Sequence, residues 1–344
     1  MNRTANRGRS WMVSAGFFLV LAFTMPVPAQ PAPIVQGVTA VATTVSDMDR
    51  AVEFYTHVLE FRRISDVEVS GREYEDLTGI FGVRVRLVTL ALGDESIELQ
   101  QYLVPRGRPV PIDSRSNDVW FQHIAIVVGD MDSAYDWLRQ NKVEYASSAP
   151  QRLPDWNKNA AGIRAFYFKD PDAHPLEIIW FPTGKGAAKW HQTSKKLFLG
   201  IDHTAIVVSN TERALNFYRN LLGMRIVGES ENYGTEQEHL NNVFGARLRI
   251  TSLRSEQGPG VELLEYLTPR DGRSFPADEH PNDLLNRQTV MLTKDAIRVA
   301  RQLYSSQVSF LSSGLVTNPA SGLAFKKALV VRDPDGHPVE IEEQ

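Results

Sequence analysis

Apolar and polar positions follow a short pattern that recurs along this chain. An apolar run such as 201–208 reads as a strand. An Asp or Asn suited to cap a helix follows, at Asp47, Asp130, Asn210 and Asp295. A helical stretch comes next, with Ala214, Phe217, Leu221 and Leu222 spaced to share one face. Runs rich in β-formers, such as 83–91 and 96–104, complete the pattern, and Pro-Asp turns at 171–173 and 334–336 join its last two strands. The unit is βαβββ, and alone it cannot bury both faces of its sheet.

The pattern is a repeat. Tyr102-Leu-Val-Pro-Arg returns as Tyr266-Leu-Thr-Pro-Arg, Phe54-Tyr55 as Phe217-Tyr218, and Asn117-Asp118 as Asn282-Asp283. Asp170-Pro-Asp-Ala-His-Pro-Leu-Glu-Ile178 returns as Asp333-Pro-Asp-Gly-His-Pro-Val-Glu-Ile341, and all of these offsets lie between 163 and 165. Within the first half, Val45-Ser-Asp47-Met48-Asp49 matches Val128-Gly-Asp130-Met131-Asp132 at an offset of 83. The chain is therefore a tandem duplication of a duplicated unit. The expected layout is a first domain over 36–182, a linker over 183–197 and a second domain over 198–344.

The residues before these units have a different character. Arg3, Arg7 and Arg9 precede an apolar run over 11–25, and Val27-Pro28-Ala29 offers small residues for a signal peptidase. The run is shorter than the ~20 residues that span a bilayer. The expectation is a signal peptide over 1–29, export to the periplasm or medium, and no membrane attachment after its removal.

Across 344 residues, 42% are apolar and 23% charged, which suits a globular chain. A net charge of −4 leaves no electrostatic footprint for nucleic acid. The absence of cysteine excludes thiolate metal sites, iron–sulfur clusters and cysteine nucleophiles. Any metal must be held by nitrogen and oxygen.

His203-Thr-Ala-Ile-Val-Val, Phe217-Tyr218, Gly223 and the twofold Asp-Pro-Asp-x-His-Pro-x-Glu-Ile string resemble the vicinal oxygen chelate superfamily. That superfamily includes glyoxalase I, methylmalonyl-CoA epimerase, extradiol dioxygenases and the fosfomycin and bleomycin resistance proteins. The resemblance implies an α+β fold in which four βαβββ modules pair into two glyoxalase-like domains with open, U-shaped mixed sheets. Each cleft would hold a divalent metal, with ligands from the first and last strands of the paired units.

The last-strand position is Glu98, Glu177, Glu262 and Glu340, each between apolar neighbours. A carboxylate there is costly to bury without a partner, although one ancestral Glu copied onto a solvated face would give the same pattern. Seven residues before each capping position stand Ala40, His123, His203 and Gln288. The second half alone then supplies four coordinating side chains, His203, Glu262, Gln288 and Glu340. This set suits one octahedral divalent ion: Ni²⁺, Zn²⁺, Co²⁺, Mn²⁺ or Fe²⁺. Glu98, His123 and Glu177 form a lesser set in a half read as degenerate. His174 and His337 read as turn residues. Trp156, Trp190 and the Arg-Pro-rich loops 105–112 and 270–276 either shape a pocket or cover a sheet.

The resemblance implies a lyase or isomerase acting on a small carbonyl compound through a metal-stabilised enediolate, with Glu340 in the position of the usual base and Glu262 as its pseudo-symmetric alternative. A ring-cleaving dioxygenase ranks lower, because it needs two first-strand histidines. Only an unusual pairing of the second and third units would bring His123 and His203 together. A non-enzymatic small-molecule-binding protein is the third reading. The expected partner is a small molecule, and oligomerisation is left open.

Overall fold

The computed structural model describes residues 1–2, 34–318 and 325–344. The expected leader, but for its first two residues, lies outside them. Among the described residues no helix is long and apolar enough to cross a membrane.

Four units follow one another. The first contains β1 (Gly37–Thr44), α1 (Met48–Glu53, continued as a π-turn), β2 (Arg62–Ser70), α2 (Arg72–Thr78), β3 (Arg84–Leu92) and β4 (Glu95–Val104). The second contains β5 (Gln122–Val128), α3 (Met131–Gln140), the short β6 (Glu144–Tyr145) and β7 (Gln151–Arg152), then β8 (Arg164–Lys169) and β9 (Pro175–Trp180). The third repeats the first: β10 (Phe198–Val207), α4 (Thr211–Leu215, again with a π-turn), β11 (Arg225–Tyr233), α5 (Thr235–Asn241), β12 (Arg247–Arg254) and β13 (Gly260–Thr268). The fourth repeats the second, with β14 (Arg287–Thr293), α6 (Ala296–Ser305), β15 (Ser309–Phe310), β16 (Val316–Thr317), β17 (Lys327–Arg332) and β18 (Pro338–Glu343). All four capping residues act as read from the sequence. The side chains of Asp47, Asp130, Asn210 and Asp295 each accept a hydrogen bond from the amide three residues on, satisfying a free donor of the first helical turn.

The strands build two curled, mixed sheets of nine strands each. Their composition departs from the two sequence halves. One sheet joins the first unit to the fourth along an antiparallel β1–β14 seam. The other joins the second unit to the third along an antiparallel β5–β10 seam. The division into 36–182 and 198–344 therefore does not mark the sheets.

The sequence halves do meet in the cores between helices and outer sheet faces. Met48, Tyr55, Leu99, Ile126, Phe166 and Ile178 share one cluster of the first two units, and Leu215, Tyr218, Leu263, Met291, Leu303 and Ile341 share its counterpart in the last two.

The Arg-Pro-rich loops clamp the crossed pairing. Arg108, in the loop leaving the first unit, donates to Asp283 in the loop entering the fourth, with Nη2 to Oδ2 at 2.6 Å. Arg273 repeats this from the third unit to Asp118 of the second, at 2.7 Å, and lies over the Trp120 ring. Planar guanidinium groups sharing buried carboxylates fix orientation as well as contact. His174 and His337 are buried parts of the same scheme. Each joins the Asp of its own turn through Nδ1, while Nε2 faces a carbonyl across the molecule, Leu284 O and Val119 O respectively, both at 2.7 Å.

Candidate metal centre

The seam between the second and third units sets the geometry of the site. His123 on β5 lies opposite Ala205 on β10, and His203 on β10 lies opposite Ala125 on β5. The parallel neighbours complete the pseudo-twofold: Glu177 on β9 pairs with Ala125, and Glu262 on β13 pairs with Ala205. Alternation along the strands puts all four side chains on one face.

The four converge. His123 Nε2 lies 3.0 Å from Glu177 Oε2, and His203 Nε2 lies 3.7 Å from that oxygen and 3.3 Å from Glu262 Oε2. One ligand atom each of His123, Glu177 and His203 falls within 4.8 Å of the others, and all three residues are buried. The Glu262 side chain is 22% exposed against 5% for Glu177, so it is the carboxylate with access to the cavity. That cavity measures about 520 Å³, and all four residues line it.

Adjacent residues hold His203 in place. Asp202 Oδ2 lies 3.0 Å from His203 Nδ1, while Asp202 Oδ1 accepts from Trp190 Nε1 at 2.9 Å and from Arg254 Nη2 at 2.8 Å. A break of register between Ile201 and His203 makes Asp202 the extra residue of a bulge, which frees it from simple alternation. With Nδ1–H given to the carboxylate, Nε2 is left as the ligand atom. Burial opposes charging His203, but Glu262 and Asp202 outweigh it and raise its pKa to about 9. Burial prevails at His123 and lowers its pKa despite Glu177.

The donor set fits a divalent cation. His123 Nδ1 is buried without a hydrogen-bond partner among the described residues, and Nε2 faces the Glu177 carboxylate at 3.0 Å, the side on which a cation would sit. Two imidazoles and two carboxylates suit a borderline ion such as Zn²⁺, Ni²⁺, Co²⁺, Mn²⁺ or Fe²⁺.

The structure places the residues expected to share one ion in two different sheets. His203 and Glu262 lie in the cluster just described. Gln288 and Glu340 lie on β14 and β18 of the other sheet, because the fourth unit pairs with the first. There Ala42 lies opposite Gln288 and beside Glu98, while Ala40 lies opposite Val290, the neighbour of Glu340. Glu98 accepts from Gln100 at 2.8 Å, and the small cavity touching Gln288 and Glu340 measures about 10 Å³. His123 and Glu177, assigned from sequence to a degenerate half, are in the cluster. Sequence reasoning misses Asp202 and offers Trp190 only as a residue that shapes a pocket or covers a sheet. The Asp-His step at 202–203 was the available signal for the first, but the bulge that makes it productive is a tertiary feature.

The sequence profile of the Glyoxalase/Bleomycin resistance protein/Dioxygenase superfamily matches residues 37–178 and 200–341. The chain belongs to this superfamily. Among curated relatives of the superfamily member, a 2-epi-5-epi-valiolone epimerase of Actinomyces sp is 32% identical over 169 residues, covering 46% of this chain and 85% of the epimerase. A lactoylglutathione lyase of Arabidopsis thaliana is 22% identical over 222 residues, covering 64% of this chain and 66% of the lyase. The crystal structure of glyoxalase I from Zea mays superposes with a TM-score of 0.57 at 14% identity, covering 90% of this chain and 92% of the maize chain. That last likeness is one of fold.

Proposed function

We propose that this protein is a metal-dependent isomerase or lyase of the glyoxalase type, exported on the leader at 1–29, that moves a proton next to the carbonyl of a small substrate. The observation that carries this reading is the convergence of His123, Glu177, His203 and Glu262 at one cavity. His123, Glu177 and His203, whose ligand atoms lie within 4.8 Å of one another, would hold a divalent cation beside Glu262, and the cation would supply Lewis-acid stabilisation of negative charge on a substrate oxygen.

Glu262 is the base in this reading. It is the more exposed carboxylate, and its Oε1 accepts from Ser252 Oγ, which orients the other oxygen toward the cluster. Glu262 takes the proton from the carbon beside the carbonyl and returns it to that carbon or its neighbour. The similarity to an epimerase supports this direction.

A second reading has its own observation. The buried trio of two histidines and one carboxylate matches the ligand pattern of ferrous oxygenases, which points to ring cleavage.

The deciding experiment measures metal content and then proton exchange. The chain, reconstituted in turn with Ni²⁺, Zn²⁺, Co²⁺, Mn²⁺ and Fe²⁺, is incubated with small α-hydroxycarbonyl compounds in D₂O and followed by NMR. Deuterium entering beside the carbonyl, lost in Glu262→Gln, is the expected result. Oxygen uptake with catechols on the Fe²⁺ form, without exchange, would favour the oxygenase. Failure to retain any of the five ions would remove both readings and leave a binding protein.

A further inference from the structure

The linker between the sequence halves runs past the cation cluster. Between β9 and β10 it forms a short 3₁₀ turn, Ala188–His191, in which Trp190 is buried. The indole packs with Ala125, Val127 and Ile179, on the strands that carry His123 and Glu177. Its Nε1 donates to Asp202 Oδ1 at 2.9 Å, while Asp202 Oδ2 meets His203 Nδ1. Phe181, Gly186 and Ala187, just before the turn, line the cavity of the cluster.

The turn is itself held from the other sheet. Lys189 Nζ lies over the Trp190 ring, 4.4 Å from its centre, and donates to Oε1 of Glu95 at the start of β4. Glu95 is buried, and its Oε2 accepts at 3.1 Å from the amide of Ile201, two residues before His203. A buried carboxylate shared by an ammonium and an amide has a fixed place. Gly200 permits the approach, since a Cβ there would lie 2.5 Å from Glu95 Oε2 and 2.9 Å from the Trp190 ring. Contacts thus run unbroken from Glu95 of one sheet through Lys189, Trp190 and Asp202 to His203 of the other. None of Glu95, Lys189 and Trp190 lines the cavity of the cluster.

We propose, on the reading that the His–Glu cluster holds a cation, that Glu95, Lys189 and Trp190 are positioning residues for it. The Glu95–Lys189 pair seats Trp190, and Trp190 seats Asp202 behind His203. Coupling between two sites is reciprocal, so a bound cation in turn holds the linker down.

Measurements on the full chain test both directions. Competition against a fluorescent zinc chelator should show Zn²⁺ affinity about fivefold weaker in two variants. Glu95→Gln/Lys189→Met removes both charges together, and Trp190→Phe removes the N–H. The visible spectrum of the Co²⁺ form should shift in both, because the orientation of His203 changes. Limited trypsin digestion read by mass spectrometry tests the reverse direction. In wild type, Zn²⁺ should slow cleavage after Lys185 and Lys195 about fivefold more than cleavage elsewhere. In the double variant that difference should vanish.

Wild-type affinity and an unshifted Co²⁺ spectrum in the folded variants overturn the proposal and leave the metal reading intact. Should the double variant fail to fold by circular dichroism, Trp190→Phe decides. Linker protection no greater than elsewhere in wild type overturns the proposal without any variant. A wild-type chain that retains no ion overturns the metal reading first, and the positioning roles with it.

Discussion

The two sheets carry the same four positions and put them to opposite uses. In one, His123, Glu177, His203 and Glu262 face a cavity of about 520 Å³. In the other, Ala40, Glu98, Gln288 and Glu340 hold the equivalent places, and the cavity there measures about 10 Å³. The acids survive in both and the imidazoles in one. Without histidine, half-buried Glu98 and buried Glu340 have only neutral groups, each other and Glu342 around them, and burial pushes both carboxyls above their ordinary range. With histidine, the acids lie beside groups that can share a proton or a cation. The basic ligands decide which cleft can hold a metal, and the acids alone decide nothing.

The largest effect should come from removing an imidazole. His123→Ala and His203→Ala should each abolish stoichiometric binding of a divalent ion, while Gln288→Ala and Glu340→Ala should leave one ion per chain by elemental mass spectrometry. Loss of the ion in Glu340→Ala would break the comparison and return the metal to the second sequence half. Next in size is Glu262→Gln, expected to lower proton exchange by about 10²–10⁴-fold, the range of general-base catalysis. The matching change in the other cleft, Glu340→Gln, should leave the rate within error.

How much of this was legible in the sequence follows from what repeats can encode. Strands, caps and turns are local, so Asp47, Asp130, Asn210 and Asp295 gave the start of each main helix, and the repeat located all eight first- and last-strand positions. The partner of each unit is not local. β1, β5, β10 and β14 are copies of one strand, so any two could form a seam by pattern alone. The pairing is clamped by Arg108 with Asp283 and Arg273 with Asp118, contacts between residues more than 150 positions apart. His203 and Glu262 therefore appeared in a set with Gln288 and Glu340, while His123 and Glu177 were set aside. The Asp202 bulge escaped for a related reason: strict alternation would turn an acid beside His203 away from it.

Asp202 offers the next contrast. Thr39 precedes Ala40 as Asp202 precedes His203, and it donates only to the Val290 carbonyl, at 3.3 Å. Asp202→Asn should weaken metal affinity about tenfold, since it removes the charge that orients and polarises His203. Thr39→Ala should leave the affinity unchanged. Competition against a fluorescent zinc chelator reads both. Equal affinities in wild type and Asp202→Asn would mean that the cluster needs no outer support, which would leave Trp190 and Arg254 without a part in it.

The smallest effect is one of stability, and its sign is fixed by burial. The Glu340 carboxyl is raised above its ordinary value of 4.5 by burial and then by Glu342 and Glu98, and Glu342 itself is pushed up to about 8. A group raised on folding binds its proton more tightly in the folded chain. Its contribution is complete below pH 4.5 and is lost as pH rises through the folded value. Glu340→Gln removes that titration. The variant should melt close to wild type at pH 4.5 and above it at pH 8, by on the order of 2 °C for each kcal/mol relieved in a domain of this size. The comparison sharpens if the gain appears only at the higher pH. An unchanged melting temperature at pH 8 would mean that Glu340 ionises there without cost. The closed cleft would then contain a compensating positive charge, and the contrast between the two sheets would rest on cavity size alone.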